Sequence, residues 1–189
     1  MPNWVKNVVE IKNLNTDEKY DNAINLLTRN YYNHDILALQ EIDFNKIIPE
    51  PETKEDCSKK YILPEGDKHL SHDDGKEWFD WYNWRIDNWG TKWNASDCYI
   101  IFNKDRIVFT FNTAWSAPRN IILKIAELGF DFNWYYADED IYSSNYGLIY
   151  SEHNDAGELK ITEDDPSELD RETDDDYENF SDWVWAMYE

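Results

Sequence analysis

Acidic residues are concentrated in the last quarter of this chain, and that concentration limits where a packed core can form. Residues 138–189 hold 18 acids and two bases, a net charge of −16, whereas residues 1–137 hold 22 acids and 16 bases, a net of −6. Like charges repel, and a segment with few apolar side chains gains too little from burial to offset the entropy of ordering. We therefore expect a packed body in residues 1–137 and an acidic extension in residues 138–189, with residues 163–176 mobile.

The overall charge and the cysteines exclude several classes of protein. The formal net charge of −22 opposes direct binding to nucleic acid or to an anionic membrane, since both are polyanions. The sequence has no run of about 18 apolar residues, so we expect no membrane span, and its first residues do not resemble a signal peptide. Cys57 and Cys98 have no metal-type spacing, so we expect two reduced thiols, no metal site and no cofactor in a cytoplasmic protein.

Apolar periodicity predicts an α+β fold. Period-two patterns indicate strands and i, i+3, i+4 spacing indicates helices. The predicted strands cover residues 4–11, 36–44, 98–102, 106–112, 130–137, 146–152 and 158–162, and the predicted helices cover 16–32, 77–87, about 118–128 and 180–187. With residues 50–97 taken as a helical insertion, the order leaves the β-α-β-β-α-β skeleton of a ferredoxin-like fold.

The last predicted helix has an apolar face that must be covered. Phe180, Trp183, Val184 and Met187 have i, i+3, i+4, i+7 spacing, and they follow the most acidic part of the chain. Such a face left in water promotes aggregation. We expect it to dock either on the domain or on a second copy, which would give a homo-oligomer.

An aromatic run in residues 78–95 is the first candidate functional feature. Five of the ten tryptophans fall within 16 residues of it. One interpretation is a platform on which a base or sugar stacks, with Arg85 and Lys92 contacting phosphate and Asn88, Trp89 and Trp93 beside them. The other is that these rings fill the core beneath a short helix. The sequence leaves both open.

The second candidate feature is the run from Thr113 to Arg119, between a predicted strand and a predicted helix. Free N–H groups at a helix start favour an anion, and Arg119 adds a positive charge there. Simple capping of the helix by Ser116 is the alternative.

Signals of catalysis or metal binding are weak. His69 and His72 have i, i+3 spacing in a polar loop, but no third ligand can be named, so a solvated loop is the better interpretation. None of the nucleophile-elbow, phosphate-loop or dinucleotide-binding glycine motifs occurs. We assign no catalytic residue and do not expect an enzyme.

Several motifs together resemble a known family. They are Met1-Pro2-Asn3-Trp4 with Asn7, Phe44-x-x-Ile47-Ile48-Pro49, Trp89-Gly90-Thr91-Lys92-Trp93 and Thr113-Ala114-Trp115-Ser116. In order and spacing, over about residues 1–137, they resemble the YubB-type (Api-like) ferredoxin-like proteins of bacteriophages and plasmids. The resemblance implies a mobile-element protein with a ferredoxin-like fold in the bacterial cytoplasm, and no known reaction. The part from about Asp138 looks least like the family.

Proteins of this kind often act against host defences, and two mechanisms suit the residues. A binding module would sequester a small nucleotide-like immune signal without turnover; an acidic mimic of nucleic acid would occupy a basic host nuclease or CRISPR-type effector. A nucleotide-cleaving enzyme is a further alternative. We favour the binding module. Its candidate ligand-binding residues are Arg85, Asn88, Trp89, Lys92, Trp93, Thr113, Trp115, Ser116 and Arg119. Trp89, Lys92, Trp93, Trp115 and Arg119 are expected to line one pocket.

Overall fold

Short strands and helices alternate along the chain in the computed structural model, which describes residues 3–33, 36–67, 75–140, 143–164 and 180–187. The strands are β1 (Trp4–Lys12), β2 (Thr28–Asn33), β3 (Ile36–Ile42), β4 (Ser96–Phe102), β5 (Ile107–Ala114), β6 (Asp131–Asp138), β7 (Tyr146–His153) and β8 (Leu159–Asp164). The helices are α1 (Asp17–Leu27), α2 (Phe44–Ile47), α3 (Trp81–Trp89), α4 (Arg119–Glu127) and α5 (Phe180–Ala186), with a 3-10 turn at Lys59–Tyr61.

The main sheet confirms the predicted ferredoxin-like α+β fold. Its six strands are antiparallel, in the order β4-β5-β1-β6-β7-β8. Within it, β1, α1, β4, β5, α4 and β6 form the β-α-β-β-α-β skeleton, whose first strand lies between its third and fourth strands. The predicted late strands form as β7 and β8, and they extend the sheet beyond β6.

The main core lies between this sheet and the helices α1 and α4. Both helices place an apolar stripe on the sheet because their apolar residues recur at helical spacing. The fully buried residues of this layer include Ala23, Leu27, Ile121, Ile122, Ile125 and Ala126 from the helices, and Val9, Ile11, Phe109, Phe111 and Trp134 from the strands. The core therefore fixes the ends of β5 and α4, between which the second sequence motif runs.

Helix α5 packs on the opposite face of the sheet, so the predicted docking on the domain is what the structure has. Val184 is fully buried against Val8, Val108 and Ala137. The indole of Trp185 donates a hydrogen bond of 3.1 Å to the backbone oxygen of Asp138. The predicted mobility of residues 163–176 falls mostly on residues 165–176, which lie outside the described residues, while Glu163 and Asp164 belong to β8.

The segment between α1 and β4 contains a separate two-stranded sheet of β2 and β3. The strand predicted over residues 36–44 is therefore formed, but it pairs outside the main sheet, and β4 is the second strand of the ferredoxin-like skeleton. The helix predicted over residues 16–32 is wrong beyond Leu27. Thr28 takes an extended backbone, pairs with Ile42, and donates its hydroxyl to the Ile24 oxygen, which ends the helix.

Candidate functional site

Two tryptophans of helix α3, Trp84 and Trp89, lie in the core. Trp84 and Trp89 are 7% and 1% exposed, and their rings meet edge to face with centroids 5.8 Å apart. The indole of Trp89 donates to the Ile48 oxygen at 2.9 Å. Arg85 lies over the Trp89 ring and pairs with Glu50 at 2.5 Å. The prediction that Trp89 lines a pocket is wrong, because its ring is enclosed by the core, and the guanidinium of Arg85 is already neutralised by a carboxylate.

The turn that ends α3 brings the two sequence motifs together. Gly90 caps the helix at φ 86°, and a β carbon there would lie 3.1 Å from the backbone nitrogen of Arg119. The hydroxyl of Ser116 donates to the Gly90 oxygen at 2.6 Å, and that of Thr91 donates to the Ala114 oxygen at 2.9 Å. Ser116 therefore joins the two motifs and does not cap α4, whose first turn has no side-chain cap.

Four side chains from this junction form a surface group that we call the Trp115 cluster: Tyr82, Lys92, Trp93 and Trp115. The ammonium nitrogen of Lys92 lies 4.5 Å from the ring centroid of Trp93 and 4.6 Å from that of Trp115. The Tyr82 ring meets the Trp115 ring edge to face at 6.4 Å. Across the described chain, Lys92 has no carboxylate or hydrogen-bond partner, so its N–H groups remain available to an anion.

Trp115 has an unusual backbone conformation. Its φ is +69°, in the left-handed region that bulky L-residues rarely adopt and that costs them roughly 1–2 kcal/mol. The side chain is 45% exposed, and of the ten tryptophans, all of which are described, it is the only exposed one. Strain of this kind persists where the surroundings enforce it, and it is found preferentially at functional positions.

The remaining predicted site residues are placed elsewhere. The guanidinium of Arg119 pairs with Glu163 of β8 and not with the Trp115 cluster. Burial raises the pKa of Tyr136, and the neighbouring Arg119 opposes that rise, which places Arg119 beside β6. Asn88 donates to the Trp84 oxygen at 2.8 Å. Thr113 is buried and donates to the Ser116 oxygen at 2.9 Å. The structure thus brings together Lys92, Trp93 and Trp115, with Ser116 as their support.

Sequence reasoning missed four residues of this region. Tyr82 supplies a ring, Trp4 packs on Trp93 with centroids 6.1 Å apart, and Asn3 and Asn145 bond the backbone of Trp115. The signal for Trp4 was its place at the start of β1, which pairs with Ala114 at the end of β5. No sequence signal pointed to Asn145.

An acid–base pair lies at the other end of the sheet. The His153 Nδ1 is 2.7 Å from Asp131 Oδ1, and Asn13 donates to Asp131 Oδ2 at 2.6 Å. Burial raises the pKa of Asp131, but the hydrogen bonds from His153 and Asn13 together lower it by more, so the net shift is downward. Asp131 begins β6, whereas the Trp115 cluster lies near the end of that strand. No three metal-ligating side chains converge in the described ranges.

The comparisons with known proteins give one match. Residues 88–181 match the family model described as the ferredoxin-like domain in Api92-like protein. The match supports the ferredoxin-like, Api-like family. It begins in α3 and ends in α5, so it covers both motifs of the junction and also much of the part from Asp138, which we expected to be least family-like. No curated protein and no solved structure matches the chain.

None of the described helices combines the length and the apolar character needed to cross a bilayer.

Proposed function

We propose that this protein is a non-enzymatic binding protein whose Trp115 cluster holds a small, planar, anionic ligand of the nucleotide type. In this proposal the indole of Trp115 stacks on the planar ring, and Lys92 binds the anionic group. Stacking on an aromatic side chain contributes about 1–3 kcal/mol per base. The biological role follows from the resemblance: an accessory protein of a phage or plasmid that sequesters an immune signal in the host cytoplasm.

The observation that carries the proposal is an exposed, strained indole beside the Lys92 ammonium, which has no carboxylate partner among the described residues. The chain has 40 acids and 18 Lys and Arg, and the guanidinium groups of Arg85 and Arg119 pair with Glu50 and Glu163. Lys92 is instead held by two rings. Rings hold a cation without accepting its hydrogen bonds in the way a carboxylate does, so the charge and the donors of Lys92 stay usable.

The net charge gives the cluster a further property. With a net charge of −22, the protein repels polyanions at long range. Salt screens that repulsion over about 8 Å at physiological ionic strength, while a contact with Lys92 acts at closer range. The site therefore suits a small anion that carries few charges rather than a nucleic-acid strand.

The first test uses the ligand pool of a bacterium. The purified protein is incubated with a nucleotide extract, washed, and heated to release what is bound, and the released compounds are identified by mass. We expect one nucleotide-type compound to be enriched. A protein that releases none over a protein-free control would contradict the proposal.

Matched variants locate the site. Lys92→Ala should weaken binding of the released compound by about 1–3 kcal/mol, which is roughly 5- to 150-fold, because a charged hydrogen bond is lost. Lys104→Ala removes an exposed lysine in the turn between β4 and β5 and should change nothing. Trp115→Ala should abolish stacking, whereas Tyr99→Ala, which removes a 66% exposed ring on β4, should not.

Arg119 decides how far the site extends. Its guanidinium already pairs with Glu163 and lies outside the Trp115 cluster, so Arg119→Ala should weaken binding less than Lys92→Ala does. If Lys92→Ala and Arg119→Ala both keep full activity against the host pathway, ligand sequestration is lost as the explanation. Acidic mimicry of nucleic acid, directed at a basic host protein, would then be the better account.

A further inference from the structure

We infer that Asn145 is a positioning residue for the Trp115 cluster: together with the backbone of Asn3, it holds Trp115 in the left-handed conformation that presents the indole to solvent. This inference rests on the proposed function, because it concerns the geometry of that same site.

Both polar groups of the Trp115 backbone are engaged from outside its own turn. The N–H donates to the backbone oxygen of Asn3 at 2.9 Å, and the carbonyl oxygen accepts from Asn145 Nδ2 at 3.3 Å. These two bonds fix the peptide groups on either side of the residue, and therefore both of its backbone dihedral angles. A residue that is strained at φ +69° needs such external partners, because an extended conformation would otherwise be favoured.

The other contacts of the turn do not reach this backbone. The Thr113 hydroxyl donates to the Ser116 oxygen and the Ser116 hydroxyl to the Gly90 oxygen, so they fix the residues on both sides of Trp115. These bonds determine where the turn lies against α3. The conformation of Trp115 itself depends on Asn3 and Asn145.

Asn145 is anchored well enough to act as a support. Its backbone oxygen accepts from the Asp138 N–H at 3.0 Å, its backbone N–H donates to Ser143 Oγ at 3.1 Å, and its amide nitrogen is 3.4 Å from Asp138 Oδ2. Asp138 ends β6 and is itself paired with Val5 of β1. The support for Trp115 is thus attached to the central strands of the sheet.

The decisive experiment is a double-mutant cycle of stability that needs no ligand. Asn145→Ala is made in the natural sequence and in a Trp115→Gly background, and the urea midpoint is measured for all four proteins. Glycine adopts positive φ without strain, so it does not need the Asn145 amide to hold it there. The glycine keeps the carbonyl that accepts from Asn145, so the bond is lost in both backgrounds, but only Trp115 can release strain when that bond is lost. We therefore expect Asn145→Ala to lower the midpoint more in the glycine background than in the natural sequence. Equal shifts in both backgrounds would overturn the inference.

Binding of adenosine 5′-monophosphate is the second readout. Asn145→Ala removes no ring and no cation from the cluster, yet we expect it to weaken binding at least tenfold. Ser144→Ala, an exposed neighbour, serves as the control and should bind as the natural protein does. Asn145→Asp has nearly the same size but no amide to donate, and it should behave like Asn145→Ala if the donated hydrogen bond is what matters. Unchanged binding in both Asn145 variants would also overturn the inference.

The two proposals fail in different ways. If the natural protein binds no adenosine 5′-monophosphate and releases no nucleotide from the extract, the proposed function is wrong. The stability cycle then still decides whether Asn145 holds the backbone of Trp115.

Discussion

The core rings of helix α3 and the rings of the Trp115 cluster lie on either side of the junction between the two motifs, but they are used in opposite ways. Trp89 is 1% exposed and packs against Phe44 and Trp84, whereas Trp115 is 45% exposed and packs against Lys92 and Tyr82. Helix α3 contributes to both groups, because its Tyr82 belongs to the cluster, while Lys92 and Trp93 follow the end of the helix at Gly90. The comparison shows that a high density of aromatic residues does not by itself define a surface, because rings of one helix can belong either to the core or to a surface cluster.

The indole N–H groups follow the same division. The buried indoles of Trp89 and Trp134 donate to the Ile48 oxygen and to Asn7 Oδ1 at 2.9 and 3.1 Å. In the described part of the chain, the indole of Trp115 has no hydrogen-bond acceptor. A buried donor without a partner is costly, while an exposed one bonds water at no cost. The core rings are therefore fixed by polar contacts as well as by packing, and the Trp115 ring keeps its donor free.

The largest expected effect is the loss of a core ring. Trp89→Ala should reduce the free energy of unfolding by about 3–5 kcal/mol, because it leaves a cavity and removes the bond to Ile48. Trp115→Ala is the matched change at the surface and should cost less than about 1 kcal/mol. Urea unfolding of both variants measures the difference. Similar losses for the two would remove the distinction between core and cluster.

The next effect concerns Gly90, where the two sequence motifs contact each other. Gly90→Ala should cost about 2–4 kcal/mol, because positive φ disfavours alanine and the new β carbon meets the backbone of Arg119 and Ala117. Gly129→Ala is a control with φ 92° and open space around it, so it has only the conformational cost of about 1–2 kcal/mol. The comparison between the two variants isolates the close contact between the motifs; equal losses would mean that the contact has no energetic importance.

A smaller effect is expected from the acceptor of a buried indole. Asn7→Ala should cost about 1–3 kcal/mol, because the Trp134 N–H loses its acceptor and the Thr113 hydroxyl loses one donor inside the core. Asn120→Ala removes an exposed amide that donates to the Asp87 oxygen and should change stability by less than about 0.5 kcal/mol. Chemical denaturation of both variants is sufficient. An Asn7→Ala protein as stable as the parent would mean that buried indoles here do not need their acceptors.

The smallest expected effect has the opposite sign. Trp115→Gly should leave the free energy of unfolding unchanged or raise it by up to about 1 kcal/mol, because relief of the positive φ offsets the loss of exposed ring contacts. Tyr99→Gly, in a strand, should instead lower it by about 0.5–1 kcal/mol. A clear loss of stability in Trp115→Gly would make this residue a structural one and would weaken the functional interpretation.

Local sequence patterns predicted much of the fold. The stripe of Ile121, Ile122 and Ile125 predicted α4, and the run of β-branched and aromatic residues in 106–112 predicted β5. The prediction of a helix as far as Tyr32 is wrong because Thr28–Asn33 pairs with Ile36–Ile42. Such pairing depends on the partner strand, which helical spacing does not reveal. Local patterns also could not predict that β3 lies in a separate sheet, because the residues of a strand do not specify which strand it pairs with.

The site was predictable in part for the same reason. The two motifs were expected to meet, and they do, through Gly90 and Ser116. Whether a given indole faced the core or solvent could not be read from spacing: Trp89 and Trp93 are one helical turn apart in sequence, but α3 ends between them. The partner of Arg119 was also hidden, because Glu163 reaches it from 44 residues away on a strand at the edge of the sheet.

The central position of β1 has a consequence for how the protein is made on the ribosome. Its neighbours are β5, which begins at Ile107, and β6, which ends at Asp138, so β1 is synthesised long before either of its partners. At about 5–20 residues per second, roughly 5–20 s pass before Ile107 is even added to the nascent chain. During that delay Val5, Val8, Val9 and Ile11 emerge as an apolar strand with two open edges. The topology therefore leaves an unpaired apolar strand exposed to aggregation for that time.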